Sequence, residues 1–129
     1  MIEFSAMADN RRQNFRVPIQ MDSFVYPTDG SWQGRRRIRT EDLSCSGISF
    51  SADPEMEIGD VMEVVLPMTA DPLIVQIELL RKEELTNSTR YGAKFIELRP
   101  EAEQMICQAV FDIQRRERLN RSNTKEREV

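Results

Sequence analysis

Apolar and polar residues alternate with a period of two along most of this chain, and the period becomes helical near its end. Val17, Ile19 and Met21 alternate with polar or restricted positions, and Phe24 and Tyr26 continue in the opposite phase. That pattern predicts a strand with a phase change near Asp22 and Ser23, of the kind a bulge makes. Pro18 has no N–H to give a ladder, so this end belongs at an edge. Pro27, Thr28, Asp29 and Gly30 are turn residues. Residues 34–43 predict a second strand, with Arg35, Arg37 and Arg39 on one face and Arg36, Ile38 and Thr40 on the other. Ile48 and Phe50 flank Ser49 in a short third strand, which Asp53 and Pro54 break. Residues 61–66 form a fourth, ending at Pro67, and Leu73, Val75, Ile77 and Leu79 alternate strictly as a fifth. Residues 82–89 are polar and turn-like, and residues 91–98 make the last strand.

After Pro100, the residues Ala102, Met105, Ile106, Ala109, Val110 and Ile113 fall at i, i+3, i+4, i+7, i+8 and i+11, one apolar helical stripe. Pro100 suits a first helical turn, and Glu101 and Glu103 suit the positive end of the helix dipole. The stripe reads as core packing, and Phe111, off the stripe beside Cys107, extends its face. Short strands with turn residues between them, then one amphipathic helix, predict an all-β fold. The expected architecture, from about six such strands, is a six-stranded antiparallel β-barrel capped by a C-terminal α-helix. Residues 1–10 read as a flexible leader, 11–118 as one domain and 119–129 as a disordered tail.

Composition narrows the chemistry. With 129 residues, 40% hydrophobic and 31% charged, the chain has the balance of one globular domain. No apolar run approaches the roughly 20 residues that span a bilayer, and the first residues lack a basic-then-apolar signal pattern, so a cytoplasmic protein without membrane insertion is expected. The two cysteines, Cys45 and Cys107, are far apart and read as reduced thiols. Histidine is absent, which removes the commonest general base and metal ligand and leaves Ser44 without an activating partner. No catalytic residue, metal site or cofactor is therefore expected. The net charge of -4 argues against a nucleic acid polymer as ligand. The arginines are nonetheless clustered, at Arg11, Arg12 and Arg16 and again at 35–37 and 39, which suits a small anion.

Two stretches carry the chemistry. Arg12 and Arg16 form R-x-x-x-R, and Asp42, Ser44 and Gly47 form D-x-S-x-x-G. The guanidinium fork of arginine meets phosphate oxygens and guanine O6 and N7 alike, and its plane stacks on a purine. An ionised Asp42 accepts from the guanine donor edge, and Ser44 both donates and accepts. Gly47 permits a left-handed turn or a close ligand approach. Each stretch alone has a plainer reading: an Asx-turn for the hexapeptide, a solvated charged leader for residues 11–16, and the solvent face of an edge strand for residues 35–39. Their occurrence together, ahead of this series of strands, favours a site.

The chain resembles the PilZ domain, the bacterial receptor module for cyclic di-GMP, over residues 11–118. Arg12 and Arg16, then Asp42, Ser44 and Gly47, match its two motifs at every defining position, and Tyr91, Gly92 and Phe95 match a later aromatic-Gly-x-x-Phe strand. The resemblance implies a barrel with a helix against one opening and a leader folded over a ligand held outside. It implies that Arg12 and Arg16 bind phosphate and guanine, and that Asp42, Ser44 and Gly47 hold the guanine edge. Arg11, just before the motif, implies a stacked pair of ligand molecules. It further implies an unidentified downstream partner protein, reached through a changed surface, and a monomer or weak homodimer. A PilZ-like adaptor that binds no nucleotide is the alternative within the fold. Outside it, a barrel binding single strands would have only Phe15, Tyr26 and Trp32 for base stacking.

Overall fold

The computed structural model describes residues 15–30, 32–68 and 71–128. Its strands are β1 (Val17–Pro18), β2 (Asp22–Tyr26), β3 (Arg36–Leu43), β4 (Gly47–Ala52), β5 (Val61–Leu66), β6 (Leu73–Glu84) and β7 (Thr89–Ile96), and the helix α1 spans Pro100–Glu128. The order β3-β2-β5-β6-β7-β4 closes on itself through β3–β4 pairing, making a six-stranded antiparallel barrel, with β1 as a two-residue addition on β3. Closure leaves no long strand edge unpaired.

Alternation fills the barrel. Ile38, Leu43, Ile48, Phe50, Val64, Leu66, Ile77, Leu79 and Tyr91 point inward and are almost wholly buried. Phe50 and Tyr91, opposite one another on β4 and β7, stack with ring centroids 5.6 Å apart. The Tyr91 hydroxyl donates to the Asp53 carbonyl at 2.8 Å, which satisfies its buried polar end. Helix α1 adds Ile106 and Val110 to this core. The stripe is turned slightly from its expected centre, since Met105 is 39% exposed while Cys107 packs against the core. Cys45 is buried, and neither it nor Cys107 is in a disulfide. Among the described residues no helix is long and apolar enough to cross a membrane.

Three local expectations are corrected. The first strand is two strands, β1 and β2, because the Thr40 side chain fills the gap between them: its hydroxyl donates to the Ile19 carbonyl and accepts from the Met21 N–H at 2.9 Å. The inward phase passes to Ser23 and Val25, and Phe24 lies on the outer face under the Arg35 guanidinium, 5.7 Å from its ring centroid. Strand β6 runs on to Glu84, into the stretch expected as a turn, because residues 82–84 pair with β7 and this ladder outweighs their polar composition. The chain reverses only at 85–88, where the Leu85 N–H bonds the Ser88 carbonyl at 2.8 Å. Finally, helical backbone continues through Glu128 where an irregular tail is expected from residue 119. That stretch is rich in Arg and Glu and holds no Gly or Pro, so nothing in it stops a helix.

Candidate ligand-binding site

The site is built by two bulges. On β3 the buried residues Ile38 and Thr40 are followed by Leu43, a step of three where alternation demands two. The register shift between Thr40 and Asp42 absorbs the extra residue, Glu41, and turns Asp42 outward. On β6 the shift between Leu79 and Arg81 absorbs Leu80 and turns Arg81 and Glu83 outward in the same way. Across the ladder Asp42 lies opposite Ser49, Ser49 opposite Gly92, and Gly92 opposite Arg81. Both re-aimed residues thus share one row on the outer face of the barrel. Arg90, opposite Ser51 and Glu83, stands in the next row.

Asp42 is the centre of a polar cluster. Its Oδ1 accepts from Arg16 Nη1 at 2.7 Å and from the Ser49 hydroxyl at 2.6 Å, and its Oδ2 meets Arg90 Nη2 at 3.1 Å. Burial by itself raises the pKa of Asp42, but the Ser49 hydrogen bond, the hydrogen bond and charge of Arg16 and the charge of Arg90 more than offset it. The carboxyl is held below the ordinary carboxylate value. Arg16 is brought here by β1, since Val17 pairs with Leu43 and Pro18 with Asp42, while Val17 is fully buried. The expected meeting of the two motifs is therefore seen for Arg16 and Asp42. Arg11 and Arg12 lie outside the described residues.

Ser44 and Gly47 shape the loop between β3 and β4. Ser44 is buried, and its hydroxyl accepts from the Gly47 N–H at 3.1 Å and the Ser46 N–H at 3.3 Å, while its own N–H bonds the Gly47 carbonyl at 2.9 Å. Gly47 is not among the glycines at positive φ, so a left-handed turn is not the reason for it. The reason is the approach of β7: a Cβ on Gly47 would stand 2.3 Å from the Ala93 carbonyl oxygen. The described backbone thus gives both residues a structural task within the loop that presents Asp42.

Arg16, Asp42, Ser49, Arg81, Glu83, Arg90, Tyr91 and Gly92 line one pocket of about 300 Å³. Arg81, Arg90 and Ser49 belong to no motif read from the sequence. Ser49 falls on the outward phase of an expected strand and could have been found by pairing, whereas Arg90 lies just before the strand expected from residue 91 and Arg81 is hidden by its bulge. A wider groove of about 670 Å³ lies alongside, between residues 37–39, 51–54 and 84–89. It contains Arg37 and Arg39, but Arg39 is engaged by Asp22 at 3.1 Å. The smaller pocket brings three arginines, Arg16, Arg81 and Arg90, together with the small residues Ser49 and Gly92 and the carboxylates of Asp42 and Glu83.

The protein is thus a small closed antiparallel barrel with a terminal helix and an arginine-lined pocket on its outer wall. The chain belongs to the PilZ domain family, which it matches over residues 10–112. In fold it is similar to the PilZ domain of YcgR from Escherichia coli, a structure with c-di-GMP, at 20% identity and a TM-score of 0.64, covering 87% of this chain and 98% of that one. The longer E. coli YcgR, also in complex with c-di-GMP, gives 22% identity and a TM-score of 0.70 over 88% of this chain and 50% of that one. The Bacillus subtilis inhibitor of motility, MotI/DgrA, gives 14% identity and a TM-score of 0.66 over 85% and 52%. This chain thus spans about half the length of the two longer proteins. No curated protein matches it in sequence.

Proposed function

We propose that this protein is a bacterial second-messenger receptor that binds cyclic di-GMP on the outer wall of its barrel and signals to a separate protein through a changed surface. The observation that carries the reading is the contact between Arg16 and Asp42, which brings one residue of R-x-x-x-R and one of D-x-S-x-x-G into one pocket. Asp42 now accepts from Arg16, Arg90 and Ser49. The N1 and N2 donors of a guanine compete for the same oxygens, and a guanidinium released from Asp42 meets a phosphate in a charge-assisted hydrogen bond. Ser44 and Gly47 act by holding the loop that aims Asp42. Arg12 joins Arg16 on phosphate and guanine, and Arg11 admits a second, stacked ligand molecule. No cofactor is used. Gathering residues 11–16 over the pocket alters the face that a partner protein sees.

The likeness in fold to an inhibitor of motility makes motility the first process to examine. Calorimetric titration of cyclic di-GMP into the wild-type protein and the Arg16→Ala and Arg12→Ala variants tests the reading. Saturable binding by the wild type, lost in both variants, is expected, with the fitted ratio reporting one ligand or two. A wild-type protein that binds no cyclic di-GMP would overturn the receptor reading in favour of an adaptor.

A further inference from the structure

Arg81 is the arginine of the pocket that stands across from a glycine. The bulge at Leu80 sets it on the outer face, opposite Gly92. The space left by the missing Cβ of Gly92 is in use: a Cβ there would stand 2.9 Å from Arg81 Nε, 3.1 Å from Nη2 and 3.4 Å from Cζ. Cζ is the farthest of the three although it bridges the two nitrogens, so the guanidinium meets residue 92 with its Nε–Nη2 edge. That edge is the two-donor fork with which arginine grips an oxyanion. Gly92 therefore lets the fork swing in low over the sheet.

The pocket's charges are unequal. Its lining holds Arg16, Arg81 and Arg90 against Asp42 and Glu83, three positive groups against two negative. Arg16 and Arg90 are both paired with Asp42. Arg81 forms no ion pair among the described residues, so its charge is the one left for a ligand. The row has a shape as well: Asp42 stands on β3 at one end and Arg81 on β6 at the other, with Ser49 and Gly92 as a low floor between them. Three strand spacings separate the ends, about 14 Å of backbone. One end carries a hydrogen-bond acceptor, the Asp42 carboxylate, and the other a charged donor, the Arg81 guanidinium.

We infer that Arg81 is a specificity-determining ligand residue, the far anchor that makes this trough select a dinucleotide over a mononucleotide, and that Gly92 positions it. The inference rests on the receptor reading above. A guanine mononucleotide reaches Asp42 but leaves Arg81 unused; a cyclic dinucleotide spans both ends. Charge and fork are both required, so lysine at position 81 restores only part of what alanine removes.

The test is an NMR chemical-shift titration with cyclic di-GMP and, separately, with 5′-GMP, on the wild type, Arg81→Ala, Arg81→Lys, Gly92→Ala and the double variant. Arg81 is exposed and the Cβ of Gly92→Ala meets only the far end of a flexible side chain, so these proteins fold. Arg81→Ala is expected to weaken cyclic di-GMP at least tenfold and leave 5′-GMP unchanged. Arg81→Lys falls in between. Gly92→Ala weakens cyclic di-GMP in the Arg81 protein and has no effect once Arg81 is alanine. Wild-type affinity for cyclic di-GMP in Arg81→Ala, or an equal loss of both ligands, would overturn the inference and leave the receptor reading standing. So would an undiminished effect of Gly92→Ala in the double variant. A wild type that binds neither ligand would overturn both.

Discussion

The Arg16 guanidinium and the Asp42 carboxylate lie 2.7 Å apart although 26 residues separate them in the chain. The contact is held from both sides. Val17 and Pro18 pair with Leu43 and Asp42 immediately next to it, and Ser49 and Arg90 donate to the same carboxylate. Asp42 thus holds two arginines in place, and on the proposed receptor reading this lowers the conformational cost of binding.

Replacing Asp42 by Asn removes the charge and releases both guanidinium groups. A hydrogen bond to a charged group is worth about 1.5–3 kcal/mol, so affinity for cyclic di-GMP is expected to fall by roughly ten- to a hundredfold. Calorimetry on the Asp42→Asn variant checks this, and unchanged affinity would mean that Asp42 is not in the site.

The pH dependence of stability follows from the same carboxylate. Its folded-state pKa is depressed by Ser49, Arg16 and Arg90 despite burial, so its ionised form stabilises the fold at pH above the unfolded value of about 4. That contribution is lost as the pH falls through the folded-state pKa. Urea denaturation is expected to show a stability gap between wild type and Asp42→Asn that is constant from about pH 8 to pH 6 and closes below about pH 4.

Gly47→Ala places a methyl group 2.3 Å from the Ala93 carbonyl oxygen, where backbone must move to admit it. A loss of about 3 kcal/mol is expected, with the denaturation midpoint falling at an unchanged slope. Because the same loop aims Asp42, binding should weaken as well. A variant as stable as wild type would show that β4 and β7 separate easily at this point.

Ile106 is fully buried where α1 meets the barrel. Its truncation in Ile106→Ala leaves a cavity and should cost about 2–5 kcal/mol by urea denaturation. Residual ligand binding under native conditions would then separate the helix's part in stability from the pocket on the barrel wall.

The barrel, its capping helix and the Arg16–Asp42 meeting were legible in the sequence because each rests on a regular pattern. Strand alternation marks Ile77, Leu79 and Tyr91 as core, the 3.6 period marks Ile106 and Val110, and the two motifs mark Arg16 and Asp42. What escaped depends on pairing between distant segments. Whether Phe24 or Ser23 faces inward is decided by Thr40, a residue on another strand, and the length of β6 is decided by its partner β7. The bulges at Glu41 and Leu80 leave no mark in composition, so the outward turn of Arg81 was out of reach. The motif serine and glycine were legible as important, but the pattern concealed that their tasks in the fold are a loop hydrogen bond and a close strand approach.

The extra residue in β3 and the extra residue in β6 give the pocket an arithmetic. Side chains alternate by twos, so each added residue changes an even count between core residues to an odd one, and each bulge absorbs the change and keeps Asp42 and Arg81 on the same side of the wall. Deleting Leu80 would restore a regular ladder with Arg81 still opposite Gly92 on the outer face, and lengthening the hairpin at 85–88 by any number would leave that face intact. In comparing this protein with its relatives, the partner of a residue across the ladder is therefore a better guide to the pocket than its spacing along the chain.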